Sequence, residues 1–334
     1  MEIVKQQMQQ MQRHDFYGEH KRCMPNYTID LPKSATLKAA GQGKLPLNNL
    51  DEEDAKWISL EAAKVGNLDV IKELQAGGHN LHHMCVMQAA SLGQYDMVKH
   101  LIYSDPTFAV TPTTLAAAIR DGTSPDLIDY LIGLDVIDTI PIEVAAGVGD
   151  ARTLDRLLDR YEDATHFNVV ANAIGSEDID TIRVALKYAK SISAHLVTIP
   201  IIMGNLAIIE EVMKYCPCIS IPMTAAIMTN QLDALKLVYN TWKDNTVPNK
   251  KTNIDTNVVT VAIMFDDLNM VKYLCDECGV EASEHALSGA ALHGKLDMVK
   301  YLVEDKEMTV TDDMITKANH ADDINVLTYL CNHL

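Results

Sequence analysis

Apolar positions recur along this chain as two short helical faces separated by a glycine. The pattern is fullest from Ser288 to Glu304, SGAALHGKLDMVKYLVE. Paired alanines, Ala290 and Ala291, let a helix lie close against a neighbour, and Gly294 is free to take the left-handed conformation that ends it. Asp297 then falls in the first turn of a second helix, where its charge favours the exposed amides, while Met298, Val299, Leu302 and Val303 form one apolar face. The pattern predicts a helical hairpin.

The same skeleton returns along most of the chain. It starts weakly at Ala35 with LKAAGQGKLPLNNL, where Ala39, Ala40 and Gly43 match but Pro46 replaces the acid. It is clear in LEAAKVGNLDVIKEL and MQAASLGQYDMVKHL, and diverges in LAAAIRDGTSPDLIDYL and in VAAGVGDARTLDRLL, which has Arg152 at the acidic position. NAIGSEDIDTIRVAL and IPIIMGNLAIIEEVM are weaker. AAIMTNQLDALKLVY puts Asn230 at the glycine position, a residue that also tolerates left-handed geometry. Aligned positions 46, 69, 96, 126, 152, 180, 207, 233, 269, 297 and 325 give eleven units, mostly 26 to 28 residues apart. A fixed period of this kind predicts a solenoid in which each repeat packs on the next, and an elongated body.

Two stretches stand outside the rhythm. Residues 1–34 form an arm in which Val4, Met8 and Met11 fall at helical spacing before Pro25 and the extended-looking YTIDLP; it reads as a cap over the first repeat or as a Gln- and Met-rich partner-binding segment. The array itself is expected over 35–334. Between Asp233 and Asn269 the spacing rises to 36 residues, which predicts a long loop near 241–256 whose Lys243, Lys250 and Lys251 are candidate partner-binding residues, with a tolerated surface loop as the alternative.

The motif Ala-Ala-x-x-Gly-x-x-Asp-x-Val-Lys-x-Leu resembles the ankyrin repeat over about nine tenths of the chain. The family's Thr-Pro-Leu-His-x-Ala opening survives only in fragments, at Thr113 to Leu115 with Ala117, at Ile140 to Ile142 and at Ile221 to Met223. The period also falls short of the family's roughly 33 residues, so the resemblance implies an all-α, ankyrin-like solenoid of helix-turn-helix repeats with short or missing β-hairpins. Such short, eroded, Met- and Asp-rich units are similar to those of large DNA viruses, phages and intracellular bacteria. That likeness implies a non-catalytic scaffold that sequesters or inhibits a host protein, a defence component among the candidates, with an endogenous adaptor as the alternative and an enzyme in a divergent helical solenoid as the remote one.

The chain's 334 residues carry a formal charge of -18, with a pI near 5.0. Nucleic-acid backbone is therefore not the expected partner, and a basic protein is the better electrostatic match. Seven cysteines without a disulfide framework suit a reducing compartment, the cytosol or nucleus, or the host cytoplasm for a viral or effector protein. No uninterrupted apolar run is long enough for a membrane span or a secretory signal. A monomer is expected in the absence of the partner.

Catalytic and cofactor signatures are absent from the sequence: there is no G-x-S-x-G, no H-E-x-x-H and no phosphate-binding lysine loop. Cys275 and Cys278 have C-x-x-C spacing and Cys216 and Cys218 lie close together, but the pairs sit two units apart, roughly 20 Å in a helical stack, too far to share one zinc. His79, His82 and His83 read as turn histidines at a helix start. No metal or cofactor is expected.

Recognition is expected at the two residues that precede the glycine of each unit, which in the family line the concave groove. The candidates are Val65, Leu92, Val148, Ile202, Met203, Met228, Met264, Phe265, Leu292 and His293. Apolar character grows toward the C-terminal half. Met at helical spacing serves equally well as core, so the pattern alone leaves groove and core both open.

Overall fold

In the computed structural model the described residues are 31–47, 50–105, 108–136, 138–161, 167–189, 192–245, 254–320 and 324–334, and they contain helices and no strands. They fall into two compact units, one up to Ala109 and one from Val110 onward. The arm at 1–30 lies outside the described residues.

In the first unit α1 (Leu31–Gly41) is followed by the pairs α2 (Glu52–Val65) with α3 (Leu68–Ala76) and α4 (Cys85–Ser91) with α5 (Tyr95–Ser104). Helix α2 packs between α1 and α4, so these three form an inner row with α3 and α5 outside it. No second helix follows α1 among the described residues before α2, at the unit where the sequence pattern is weak. Only Lys44 to Asp51 separates the turn at Gly43 from the next helix, and Asp51 is already the cap of α2, accepting from the Asp54 amide at 2.7 Å. The segment is too short for another helix.

The second unit continues with α6 (Pro112–Arg120) and α7 (Pro125–Gly133), α8 (Thr139–Val148) and α9 (Ala151–Arg160), α10 (Phe167–Ser176) and α11 (Ile179–Tyr188), and α12 (Ala194–Met203) and α13 (Leu206–Met213). Then come α14 (Ser220–Met228) and α15 (Leu232–Asn245), α16 (Asn257–Met264) and α17 (Leu268–Lys272), α18 (Glu284–Leu292) and α19 (Leu296–Lys300), and α20 (Asp312–His320) and α21 (Ile324–Cys331). The first helices of successive pairs pack on one another as an inner row, and the second helices form an outer row. Helices α17 and α19 each run on into a π-helical turn, Tyr273–Glu277 and Tyr301–Asp305, entered in both cases through the same MVKYL sequence. Helix α15 runs through Asn245, so the first part of the stretch expected to be a loop from Thr241 is helical. The rest of that stretch, including Lys250 and Lys251, lies outside the described residues up to Asn253.

The core lies between the two rows. Inner helices contribute small residues, with Ala62, Ala63, Ala89, Ala90, Ala145, Ala146, Ala290 and Ala291 all buried, as the paired-alanine pattern predicts. Outer helices contribute larger ones at helical spacing, such as Val70, Ile71 and Leu74, or Met270, Val271 and Leu274. Small side chains on the inner row permit the close approach that stacks it, and the bulky outer side chains fill the space behind.

Each helix pair whose turn is described turns on one left-handed residue. Gly149 has a φ of +79°, and a Cβ there would meet the Asp178 Cβ of the next turn at 3.2 Å. Asn230 takes the same conformation, with φ +57°, as its place in the pattern predicts, and so do Glu177 and Asp266, at +60° and +63°. The residue after this one caps the outer helix: Asn67, Asp150, Asp178, Asn205 and Asp267 accept hydrogen bonds from amides in the first turn. The acidic position of the sequence pattern thus lies two residues beyond the cap, as the second residue of the outer helix.

Candidate protein-binding face

Burial on an inner helix follows the 3.6-residue period and leaves one strip uncovered. In α16, Val258, Val259, Ala262 and Ile263 are buried against the neighbouring helices. Asn257, Val261 and Met264 therefore face the other way, and Met264 is 61% exposed. The same geometry repeats at each inner-helix C-terminus. In the second unit Val148, Met203, Met228, Phe265, Leu292 and His293 are exposed, while Ile202 is half-buried. In the first unit Val65 and Leu92 are exposed at the ends of α2 and α4. The alternative open at the sequence level, that these side chains close inward as core, is not what the helices do.

Within the second unit the row is continuous from α12 to α18, since these inner helices pack successively. It is interrupted at α10, whose corresponding residues are Gly175 and Ser176. Polar contacts tie the successive turns together: the Gln231 side-chain amide donates to the Ile201 carbonyl at 2.7 Å, and Lys295 pairs with Asp266 at 2.5 Å. Such bonds fix the inner helices side by side with their C-termini along one edge. Leu206, the first residue of α13, is exposed two turn residues beyond Met203 and adds to the apolar area there. Sequence reasoning missed it because the leucine at this position in other units, Leu68, Leu232, Leu268 and Leu296, is partly covered.

Lys243 does not join this row. It lies in the outer helix α15, exposed, with its ammonium 5.7 Å from the centre of the Tyr239 ring. Lys250 and Lys251 fall outside the described residues.

Three of the described cysteines, Cys85, Cys275 and Cys278, are buried, whereas Cys331 is exposed. Burial pushes Cys278 up to about 12 and Cys85 up to about 11, far from a reactive thiolate at neutral pH. The Cys216 thiol donates to the Cys218 carbonyl at 3.0 Å. His82 and His83 stack with ring centres 4.5 Å apart at the start of α4, and burial of His82 lowers its pKa, with the charges of His83 and Lys56 adding to the effect. Among the described residues no group of three or more His, Cys, Asp or Glu is placed to hold a metal ion. No helix among them is long and apolar enough to cross a membrane.

Residues 222–313 match the family model for ankyrin repeats, in three copies. This segment carries ankyrin repeats. The matched segment runs from α14 into α20, and it holds Met228, Met264, Phe265, Leu292 and His293 of the exposed row. Helix pairs before it have the same left-handed turn, and several the same cap, so the ankyrin-like architecture extends N-terminal to the part that the family model covers. No curated protein matches the chain. Ankyrin repeats are protein-interaction modules in general and not catalysts, and an exposed apolar row on a helical scaffold agrees with that role.

Proposed function

We propose that the protein is a non-catalytic scaffold that captures a protein partner on the inner face of its second unit, along Ile202, Met203, Met228, Met264, Phe265, Leu292 and His293. The observation that carries the reading is the exposure of large apolar side chains at one repeated position, where a stable monomer would ordinarily place polar residues. Three of them are methionines, whose flexible side chains adapt to the shape of a partner. Val65, Leu92 and Val148 extend the same chemistry at other inner-helix ends. The capture blocks the partner's own contacts, as a sequestering inhibitor of a host protein would; a role as an endogenous adaptor is the alternative.

Changing Met203, Met264 and Phe265 together to Ser tests this. Affinity capture from native lysate, compared between parent and variant by mass spectrometry, should lose its specific partner, while the urea melting curve stays close to the parent's. A collapse of stability would assign these side chains to the core. Unchanged capture with unchanged stability would move the site to Lys243 and its neighbours.

A further inference from the structure

The segment that joins α3 to α4 in the first unit carries His79, His82 and His83, and His82 is the half-buried member that faces α2. Its backbone amide donates at 3.0 Å to Oγ of Ser59, a fully buried residue of α2. The same hydroxyl accepts from the Cys85 thiol at 3.5 Å and donates to the Lys56 carbonyl at 2.6 Å, so the chain at His82 is anchored. From that anchor the ring reaches forward. Its Nδ1 accepts from the Met84 amide at 3.1 Å, and Met84 is the residue that opens α4 without a side-chain cap of its own.

A ring nitrogen that accepts carries no proton. In the folded first unit Nδ1 of His82 is therefore bare, and the proton of the neutral ring sits on Nε2. A second proton, taken from solvent at Nδ1, turns the acceptor into a donor aimed at the Met84 N–H. The hydrogen bond is then lost, and two N–H groups face each other.

The surroundings oppose that charge. Burial of the ring is the largest effect holding its pKa below the ordinary value, and the two charges that act on it, His83 and Lys56, are both of its own sign. The His83 ring lies stacked on it, centres 4.5 Å apart and planes 22° from parallel. Glu52 on α2 is already engaged, paired with Lys56 at 3.7 Å and accepting from Asn80 at 2.6 Å, and its charge acts on His79. Cys85, from α4, is buried and neutral, pushed up to about 11.

We infer that residues 79–84 form an acid-sensitive latch on the first unit: one proton taken up by His82 breaks the Met84 contact, turns the ring to solvent and loosens the start of α4 where it packs on α2. The sign follows from the lowered pKa, because the opened segment binds the proton more readily than the closed one. Closure is complete above the ordinary histidine value, about 6.5, and weakens as pH falls from there toward the folded value.

Amide exchange at Met84 in the full chain tests this, followed by NMR from pH 7.5 to 5 and corrected for the intrinsic pH dependence of exchange. His82→Asn is the comparison, since its Oδ1 stands as many bonds from Cα as Nδ1 does, can accept from the same amide and does not titrate. One group can shift an opening equilibrium by up to about tenfold per pH unit, so opening in the parent should rise by about threefold or more below pH 6.5. In His82→Asn it should stay flat. A parent that does not respond, or a variant that responds equally, overturns the latch. Should the variant fail to fold, the ring of the parent decides. Nitrogen shifts of His82 should show Nδ1 gaining its proton in step with the change at Met84, and a ring that protonates without disturbing that amide overturns the inference.

Discussion

The hydroxyl of Tyr301 donates a 2.8 Å hydrogen bond to a carboxylate oxygen of Asp276, which belongs to the preceding helix pair. The contact is one rung of a ladder on the outer row. Lys306 also reaches Asp276, and the ammonium of Lys272 lies 5.5 Å from the centre of the Tyr301 ring. One pair further on, Tyr329 donates to Glu304 at 2.6 Å beneath Lys300. Each tyrosine thus bridges to the acid and the lysine of its predecessor, adding a directional contact to stacking that is otherwise apolar.

Tyr301→Phe removes the hydrogen bond and keeps the ring. It should cost about 1 kcal/mol, a typical value for one hydrogen bond whose acceptor keeps another partner. The hydrogen bond from Lys306 holds the Asp276 carboxyl below its ordinary range against the opposing effect of burial, and the hydrogen bond from Tyr301 adds a smaller lowering. A group with its pKa depressed in the folded state contributes stability in full above its unfolded value, about 3.9, and loses it as pH falls through the folded one. Urea melts below about pH 4 should therefore show a shallower acid dependence in Tyr301→Phe than in the parent. Parallel curves would mean that the rung adds nothing.

The left-handed turns give a pair of opposite substitutions. Glu177 holds a φ of +60°, where an L side chain costs roughly 1 to 2 kcal/mol and glycine does not. Glu177→Gly should raise the urea midpoint, by about 1 kcal/mol of stability. Gly149→Ala should lower it by about as much, because the added Cβ combines a φ of +79° with a 3.2 Å approach to Asp178. If both substitutions shift the midpoint the same way, backbone strain is not what distinguishes these turns.

Much of this architecture is legible in the sequence because two signals coincide at each hairpin, a small pair on one helix and a left-handed residue after it. Asn230 was readable for that reason. Glu177 and Asp266 were less so, since an acid is a poor indicator of positive φ and their backbones are held there by the packed helices on either side. The extension of α15 to Asn245 escaped because Asn240 and Thr241 look like a stop, whereas Val238 and Tyr239 stay buried and carry the helix past it. Whether Met203 and Met264 are groove or core was not legible at all. Their helical spacing is the same in either case, and only the stacking of neighbours on the alanine face decides it.

Overpacking tests that alanine face. Ala90 and Ala291 are fully buried, and Leu at either site forces three further carbons into a close helix contact. Each substitution should destabilise by about 1 to 3 kcal/mol, seen as a lower urea midpoint. Melts that match the parent for both variants would show that the inner helices are not held at close approach.

Charge placed on the exposed row should separate binding from folding. Met228 is the last residue of α14, exposed, in a helix with no ionisable Asp, Glu, Lys or Arg. A lysine there leaves the core untouched, and its ammonium sits at a helix C-terminus, where a cation is worth about 0.3 to 1 kcal/mol. Met228→Lys should therefore melt at or slightly above the parent's urea midpoint. On the binding side the same ammonium must be desolvated beneath an apolar partner that offers no counter-charge, a cost on the order of several kcal/mol even after relaxation. Titration of the captured partner should then show affinity falling by about tenfold or more, against unchanged or improved stability. A lysine that weakens folding instead would place Met228 in the core, and one that leaves affinity intact would take the partner off this face.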